Sequence, residues 1–237
     1  MSEIAHSLRN NYRDGKPLRE FKHLLPRRPT IIEIGAHDGS TTIGFRRLFA
    51  RARIVAFEPD PRAIAKFRLR SELRDVTLIE CAIADRNGEA VFHQSSGRPP
   101  GFEGGDWDAS GSIRQPTGAL ALHPWLSFNR QISVPVVRLD DALDRHDIGQ
   151  IDLIWADVQG AEGDLIRGAC EALKRTRFFY TECTQDEEYA GHIGLPEMCA
   201  LLPDFEIVEV FAHDVLFRNR VFAKTRTWWS FGSAAPA

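Results

Sequence analysis

Residues 31–39 constrain this chain more than any other stretch. They read Ile31, Ile32, Glu33, Ile34, Gly35, Ala36, His37, Asp38, Gly39, and Ser40 to Phe49 can then open a helix. A strand delivers the backbone to a tight, Cβ-poor turn where a flat or charged ligand can approach closely. Dinucleotide-binding folds use Gly-x-Gly-x-x-Gly there, so that a pyrophosphate rests on the helix N-terminus. Here the pattern is Glu-x-Gly-x-x-x-Gly; the middle glycine is missing and a carboxylate precedes the turn. That carboxylate would repel a pyrophosphate and suits a cation. S-adenosylmethionine, with its sulfonium and ammonium, fits better than NAD. The competing reading is an ordinary strand-turn-helix whose glycines serve geometry alone.

The following segments favour the ligand site. Arg53–Phe57 reads as a second strand ending in Glu58, Pro59, Asp60 and Pro61. Nucleotide-binding α/β units place a ribose-binding acid about 20 residues beyond the glycine turn, and Glu58 lies 58 − 39 = 19 residues past Gly39. Pro61 suits the first turn of the next helix. A third apolar run, Val76–Glu80, leads into Cys81, Ala82, Ile83, Ala84 and Asp85, small residues that let backbone groups reach an adenine edge. Asn87-Gly88 reads as a hairpin turn into 89–93. A fourth strand, Ile151–Ala156, ends in Asp157, Val158, Gln159 and Gly160; a fifth, Arg177–Thr181, ends in Glu182. Acids at the carboxyl ends of central parallel strands stand where open α/β sheets put their chemistry.

In this order these segments, with Gly111-Ser112 and Val137–Asp141, resemble the FkbM family of S-adenosylmethionine-dependent methyltransferases. The resemblance covers about residues 30–183 and continues more weakly to about 223. The family departs at two points: many members carry Lys where this chain has Trp155, and Glu where it has Gln159. The Gln form also resembles known members, so the segment reads as a subgroup.

The resemblance implies an α/β, Rossmann-like class I methyltransferase. Its sheet would be mostly parallel and seven-stranded, with an antiparallel edge hairpin and helices on both faces. It implies methyl transfer to a hydroxyl of a small acceptor such as a sugar or natural-product intermediate. The cofactor set is then Glu33, Gly35, Ala36, His37, Gly39 and Thr42 around the turn. Glu58, Pro59, Cys81 and Ala82 follow the next strands, and Ser112, Asp157 and Gln159 complete it. Asp157, Glu182 and His213 are the candidate catalytic residues. Asp157 competes with a helix N-cap role near Gly160, and Gln159 with an exposed helix-start role. Asp157 and Glu182, ending adjacent strands about 5 Å apart, could hold a divalent cation such as Mg; no third ligand is evident, and metal-free operation stands beside that reading. His37, His192 and His213 are loop histidines that either serve the site or are solvated bystanders.

Length and charge agree. A chain of 237 residues supports one large domain, expected here over 1–237. Its net charge of 30 − 33 = −3 implies no general attraction to nucleic acid or membrane. There is no membrane-spanning run and no signal-peptide pattern at the amino terminus. Cys81, Cys170, Cys183 and Cys199 form no Cys-x-x-Cys pair, which suggests reduced thiols in a cytoplasmic protein. Residues 1–28 read as an amino-terminal helical extension interrupted at 14–17. Residues 94–130 break the strand-helix pattern with Gly and Pro yet hold Phe102, Trp107, Trp125 and Phe128; this segment is expected to be a substrate-covering lid rather than a passive insertion. Two closing strands, 205–211 and 215–223, would form the edge hairpin about His213-Asp214. The apolar tail, 228–237, would pack on the domain or on another subunit of a homo-oligomer. Two alternatives stay open: methylation of nitrogen or of a macromolecule, and a non-catalytic or NAD-type nucleotide-binding protein.

Overall fold

The computed structural model describes residues 16–184 and 186–224. The chain opens with α1 (Lys16–Leu24), then alternates β1 (Thr30–Ile34), α2 (Ser40–Leu48), β2 (Arg53–Phe57), α3 (Pro61–Arg68) and β3 (Thr77–Ile79). Next come β4 (Ala82–Ile83), β5 (Gly88–Gly97), the one-turn α4 (Ala119–Leu122), β6 (Leu126–Val137) and α5 (Leu139–Arg145). The second half runs β7 (Ile151–Ala156), α6 (Glu162–Gly168), α7 (Cys170–Lys174), β8 (Thr176–Glu182), α8 (Leu195–Leu201), β9 (Phe205–Val210), β10 (Asp214–Asn219) and α9 (Arg220–Lys224).

Seven strands make the main sheet in the order β3-β2-β1-β7-β8-β10-β9. β10 runs antiparallel to both neighbours and the remaining pairs are parallel. The strand order reverses between β1 and β7, and this switch point opens a crevice at the carboxyl ends of the strands. β7 is buried along its whole length, as a central parallel strand covered on both faces must be. Pleating sends Ile32, Ile34, Val55, Phe57, Ile154 and Phe179 to one face, under Leu139, Leu143, Leu165 and Met198 of α5, α6 and α8. It sends Ile31, Ile54, Leu153, Trp155, Phe178 and Tyr180 to the other, under Phe21 of α1 and Phe45 of α2. Trp155 stacks on Tyr180 at 4.0 Å between centroids and meets Phe21 and Phe45 edge-on. The position where many relatives carry Lys is therefore core in this chain.

Three expectations change at their edges. Asn87-Gly88 does not turn a hairpin: β4 and β5 are not paired with one another, and with β6 between them they form a separate three-stranded sheet, β4-β6-β5. Gly97 pairs with Leu126 in it, so strand takes both ends of the expected 94–130 segment and leaves 98–125 as the irregular part. The last strand ends at Asn219 because its side-chain oxygen accepts the amides of Val221 and Phe222, at 3.0 and 3.1 Å, and starts α9. The amino-terminal extension is described only from Lys16. The first 15 residues and the apolar tail lie outside the described residues.

Candidate active site

The crevice at the switch point is a cavity of about 1660 Å³. Its floor begins at the turn after β1. Gly35 and Ala36 both donate amide hydrogens to the Phe57 carbonyl, at 2.9 and 3.0 Å, tying the turn to β2. Gly35 has φ +82, and a Cβ there would drive into the Asp157 carbonyl at the end of β7. Only glycine satisfies both the left-handed backbone and that close approach. His37 follows at φ +48, and its amide donates to Glu58 Oε2 at 2.8 Å. Glu58 Oε1 takes the Asp60 amide at 2.8 Å. Burial pushes the Glu58 carboxyl up to about 7, against the pull of these two amides. Pro61 occupies the first turn of α3, capped by Asp60. Pro59, Cys81 and Ala82 continue the wall, and burial raises the Cys81 thiol to about 11.

Three sequence-predicted residues do not line this cavity. Gly39 has φ +80 and packs against Phe67 and Leu73. Glu33 shares its strand face with Ile31 and lies beneath α2 beside Thr42; both residues are buried. Burial pushes the Glu33 carboxyl up to about 8, with the neighbouring Thr42 hydroxyl opposing. Glu33 is thus a core acid under α2 and does not face the cavity. The physical reason is position: Glu33 lies within β1, short of its carboxyl end, with its side chain under α2 rather than in the crevice beyond the strand.

The other half of the cavity is built from strand-end acids. Ala156 pairs with Thr181, so Asp157 and Glu182 leave neighbouring strands side by side, and Asp214 pairs directly with Glu182 across β8 and β10. Gln159 joins the first two: its Nε2 donates to Asp157 Oδ1 at 2.6 Å and to Glu182 Oε2 at 3.1 Å. Gln159 stands at φ +52. Its carbonyl accepts the Ser112 hydroxyl at 2.7 Å, and its Oε1 lies 3.1 Å from the Tyr189 hydroxyl. Burial raises Glu182 well above the usual carboxylate range, assisted by Asp157 and Glu162; burial and Asp157 raise Asp214 to about 7, with the Tyr180 hydroxyl opposing. His213 lines the same end. Asp157 is not a helix cap: α6 starts at Glu162, after Ala161, with no side-chain cap.

A cation between Asp157 and Glu182 does not fit these residues. The amide nitrogen that occupies the gap carries hydrogens and cannot ligate, and among the described residues no three His, Cys, Asp or Glu side chains converge as a ligand set.

The segment 98–125 roofs the cavity. Sequence reasoning missed its anchor, Asp108, which is 8% exposed. Asp108 Oδ1 lies 2.8 Å from His37 Nε2, and Oδ2 lies 2.6 Å from Lys66 Nζ. Burial opposes ionisation of Asp108, yet these two partners hold its carboxyl well below the usual range. Burial likewise works to lower His37, and Asp108 outweighs it, leaving the imidazole more basic than usual. Tyr189 and Asp214 were also missed. Their signal is three-dimensional: Tyr189 reaches the site from the connection after β8, and Asp214 from the start of β10 through its pairing with Glu182.

The family model described as the Methyltransferase FkbM domain matches residues 33–218. The chain is 43% identical to the 2-O-methyltransferase NoeI of Sinorhizobium fredii, over 92% of this chain and 91% of that one. It is 25% identical to Methyltransferase 1 of Beauveria bassiana, over 58% of this chain and 57% of the other. Among solved structures, magnesium protoporphyrin IX methyltransferase from Synechocystis PCC 6803 with bound SAM superposes at TM-score 0.47 and 8% identity, covering 89% of this chain and 80% of that one.

Proposed function

Because the chain belongs to the FkbM methyltransferase family, we propose that it moves a methyl group from S-adenosylmethionine to a hydroxyl oxygen of a small acceptor, such as a sugar or natural-product intermediate. One observation carries the reading: the Gly35–His37 turn, Glu58 and Asp157 converge on one cavity at the switch point of the sheet. The 2-O-methyltransferase name of the relative at 43% identity supports oxygen as the acceptor atom.

The residues fit the cofactor by chemistry. The turn at Gly35 admits close approach because no Cβ intrudes. Glu58, held by two amides, would take the ribose hydroxyls, and the small Cys81-Ala82 loop would flank the base. Ser112 would act through Gln159, whose carbonyl it holds, and Pro59 would shape the wall beside Glu58. The bound cofactor supplies an already activated methyl group, so the protein's task is to align the acceptor oxygen and accept its proton. Asp157, Glu182 and His213 stand at the acceptor end. A carboxylate raised toward neutrality is a competent proton acceptor near pH 7. The Gln159 amide would keep Asp157 and Glu182 oriented while one of them takes the proton. The 98–125 roof would exclude water from the reacting centre. No described helix is long and apolar enough to cross a membrane. The described cysteines are free thiols, in keeping with work in the cytoplasm.

The test is calorimetric titration with S-adenosylhomocysteine, with NAD in a parallel cell. Micromolar binding of the first and none of the second is expected, and binding of NAD instead would overturn the assignment.

A further inference from the structure

The cavity is divided by charge. Among the described residues that line it, the only Lys and Arg are Lys66 and Arg62, and both belong to α3 at the cofactor end. Both are already engaged: Lys66 with Asp108 at 2.6 Å, and Arg62 with Asp60 at 2.7 Å. The acceptor end is lined by Asp157, Glu182, Asp186, Glu188, Glu197 and Asp214, with no Lys or Arg among them. Behind these, Glu162 is 1% exposed and leaves Oε2 without a hydrogen-bond partner; it lines a small cleft shared with Glu182 and Glu188. Along the roof, Phe102, Trp107, Trp125 and His123 touch in series, with centroids 5.5, 5.6 and 5.7 Å apart. His123 meets Glu188 at 3.5 Å, so the aromatic row ends at the acid cluster.

The geometry points to an acceptor that is a neutral or cationic polyhydroxylated ring, and to rejection of acceptors carrying phosphate. This deepens the methyltransferase reading and rests on it. Carboxylates accept hydrogen bonds from hydroxyl and ammonium groups, and the aromatic row offers apolar surface to the C–H face of a ring. A phosphate brought to the same end would meet several carboxylates and, among the described lining residues, no Lys or Arg, in a site screened less than bulk water. Burial chiefly, with Asp157 beside them, raises Asp214 to about 7 and Glu182 well above the ordinary range, so an added anion meets a site that already disfavours negative charge. Phosphate-binding sites carry Arg or Lys aimed at the ligand, and among the described lining residues the acceptor end has acids in their place.

The experiment uses the full chain saturated with S-adenosylhomocysteine. Glucosamine, methyl glucoside, glucosamine 6-phosphate and glucose 6-phosphate are titrated in by calorimetry. Each unphosphorylated probe is expected to bind at least about tenfold more tightly than its phosphate ester at low salt, with the gap narrowing at high salt. Glu197→Lys, at an exposed rim position on α8, is expected to bring each pair within about threefold of one another. Equal or tighter binding of the phosphate esters by the unaltered protein overturns the inference. So does the absence of binding by all four probes when S-adenosylhomocysteine binds, an outcome that leaves the methyltransferase reading standing. Failure of S-adenosylhomocysteine to bind removes the premise itself.

Discussion

His37 Nε2 and Asp108 Oδ1 lie 2.8 Å apart across 71 residues of chain, which fastens the roof of the cavity to the turn beneath it. The imidazole is more basic than usual and the carboxyl more acidic. The raised His37 value contributes stability that is fully present below 6.5 and is lost as pH rises through the folded value. The lowered Asp108 value contributes above 3.8 and is lost as pH falls through its folded value. The fastening is therefore strongest between these limits and slackens on the alkaline side. Asp108→Asn should cost the roof about 1–2 kcal/mol, after allowance for screening at the partly exposed histidine. Amide hydrogen exchange over 98–125 should rise in the variant, and should rise in the unaltered protein between pH 6 and pH 8.5 beyond the intrinsic rate change.

Glu33 offers a second test, because burial holds its carboxyl near 8 against an ordinary 4.5. A raised acid stabilises the fold fully below 4.5, and that contribution is lost as pH rises through 8. Glu33→Gln should match the parent at pH 4 and exceed it at pH 9 by on the order of a few kcal/mol. Urea unfolding across that range measures the difference. Affinity for S-adenosylhomocysteine should not change, since Glu33 does not line the cavity; a large loss would return it to the cofactor set.

Gln159 spans two carboxylates from a left-handed backbone position. Asn tolerates that backbone but is one methylene shorter and cannot reach both. Gln159→Asn should lower kcat about tenfold, the worth of one hydrogen bond to a charged group, with little change in Tm. An unchanged kcat would show that the bridge is structural only.

The same bridge predicts indifference to chelators. Dialysis against EDTA, followed by a methyl-transfer assay, should leave the rate unaltered, because an N–H donor fills the gap between Asp157 and Glu182. Loss of activity restored by magnesium would mean that the amide moves aside.

At Gly35, alanine must adopt φ +82 and push its Cβ against a backbone carbonyl that cannot swing away. Gly35→Ala should destabilise the fold by about 2–4 kcal/mol and abolish cofactor binding. Gly105→Ala, where nothing lies within 4 Å, serves as the neutral control in the same unfolding and titration experiments.

These residues also show which parts of the site are written locally. Gly35, Glu58 and Asp157 each follow a strand directly, Glu182 ends one and Cys81 lies two residues beyond one, so apolar runs with their terminating residues reveal them. The order of those runs carries the seven-stranded sheet. Asp108, Tyr189 and Asp214 depend on which loops fold over which strands, and no local pattern encodes that. Glu33 was legible in principle: the apolar run continues through Ile34, which places Glu33 inside the strand rather than at its end, on the same face as Ile31. The end of β10 was legible too, since Asn219 is a helix-capping residue placed just before Arg220.

Gly97 and Leu126 face one another across the β5–β6 ladder, in a sheet separate from the seven strands that hold the cofactor turn. The roof is therefore a cassette with both ends fastened at one doorway, about 5 Å wide. Its length and lining can be exchanged between the two strands without altering the register of the main sheet. Asp108 and Ser112 are the exceptions, since they tie this cassette to the turn after β1 and to the segment after β7.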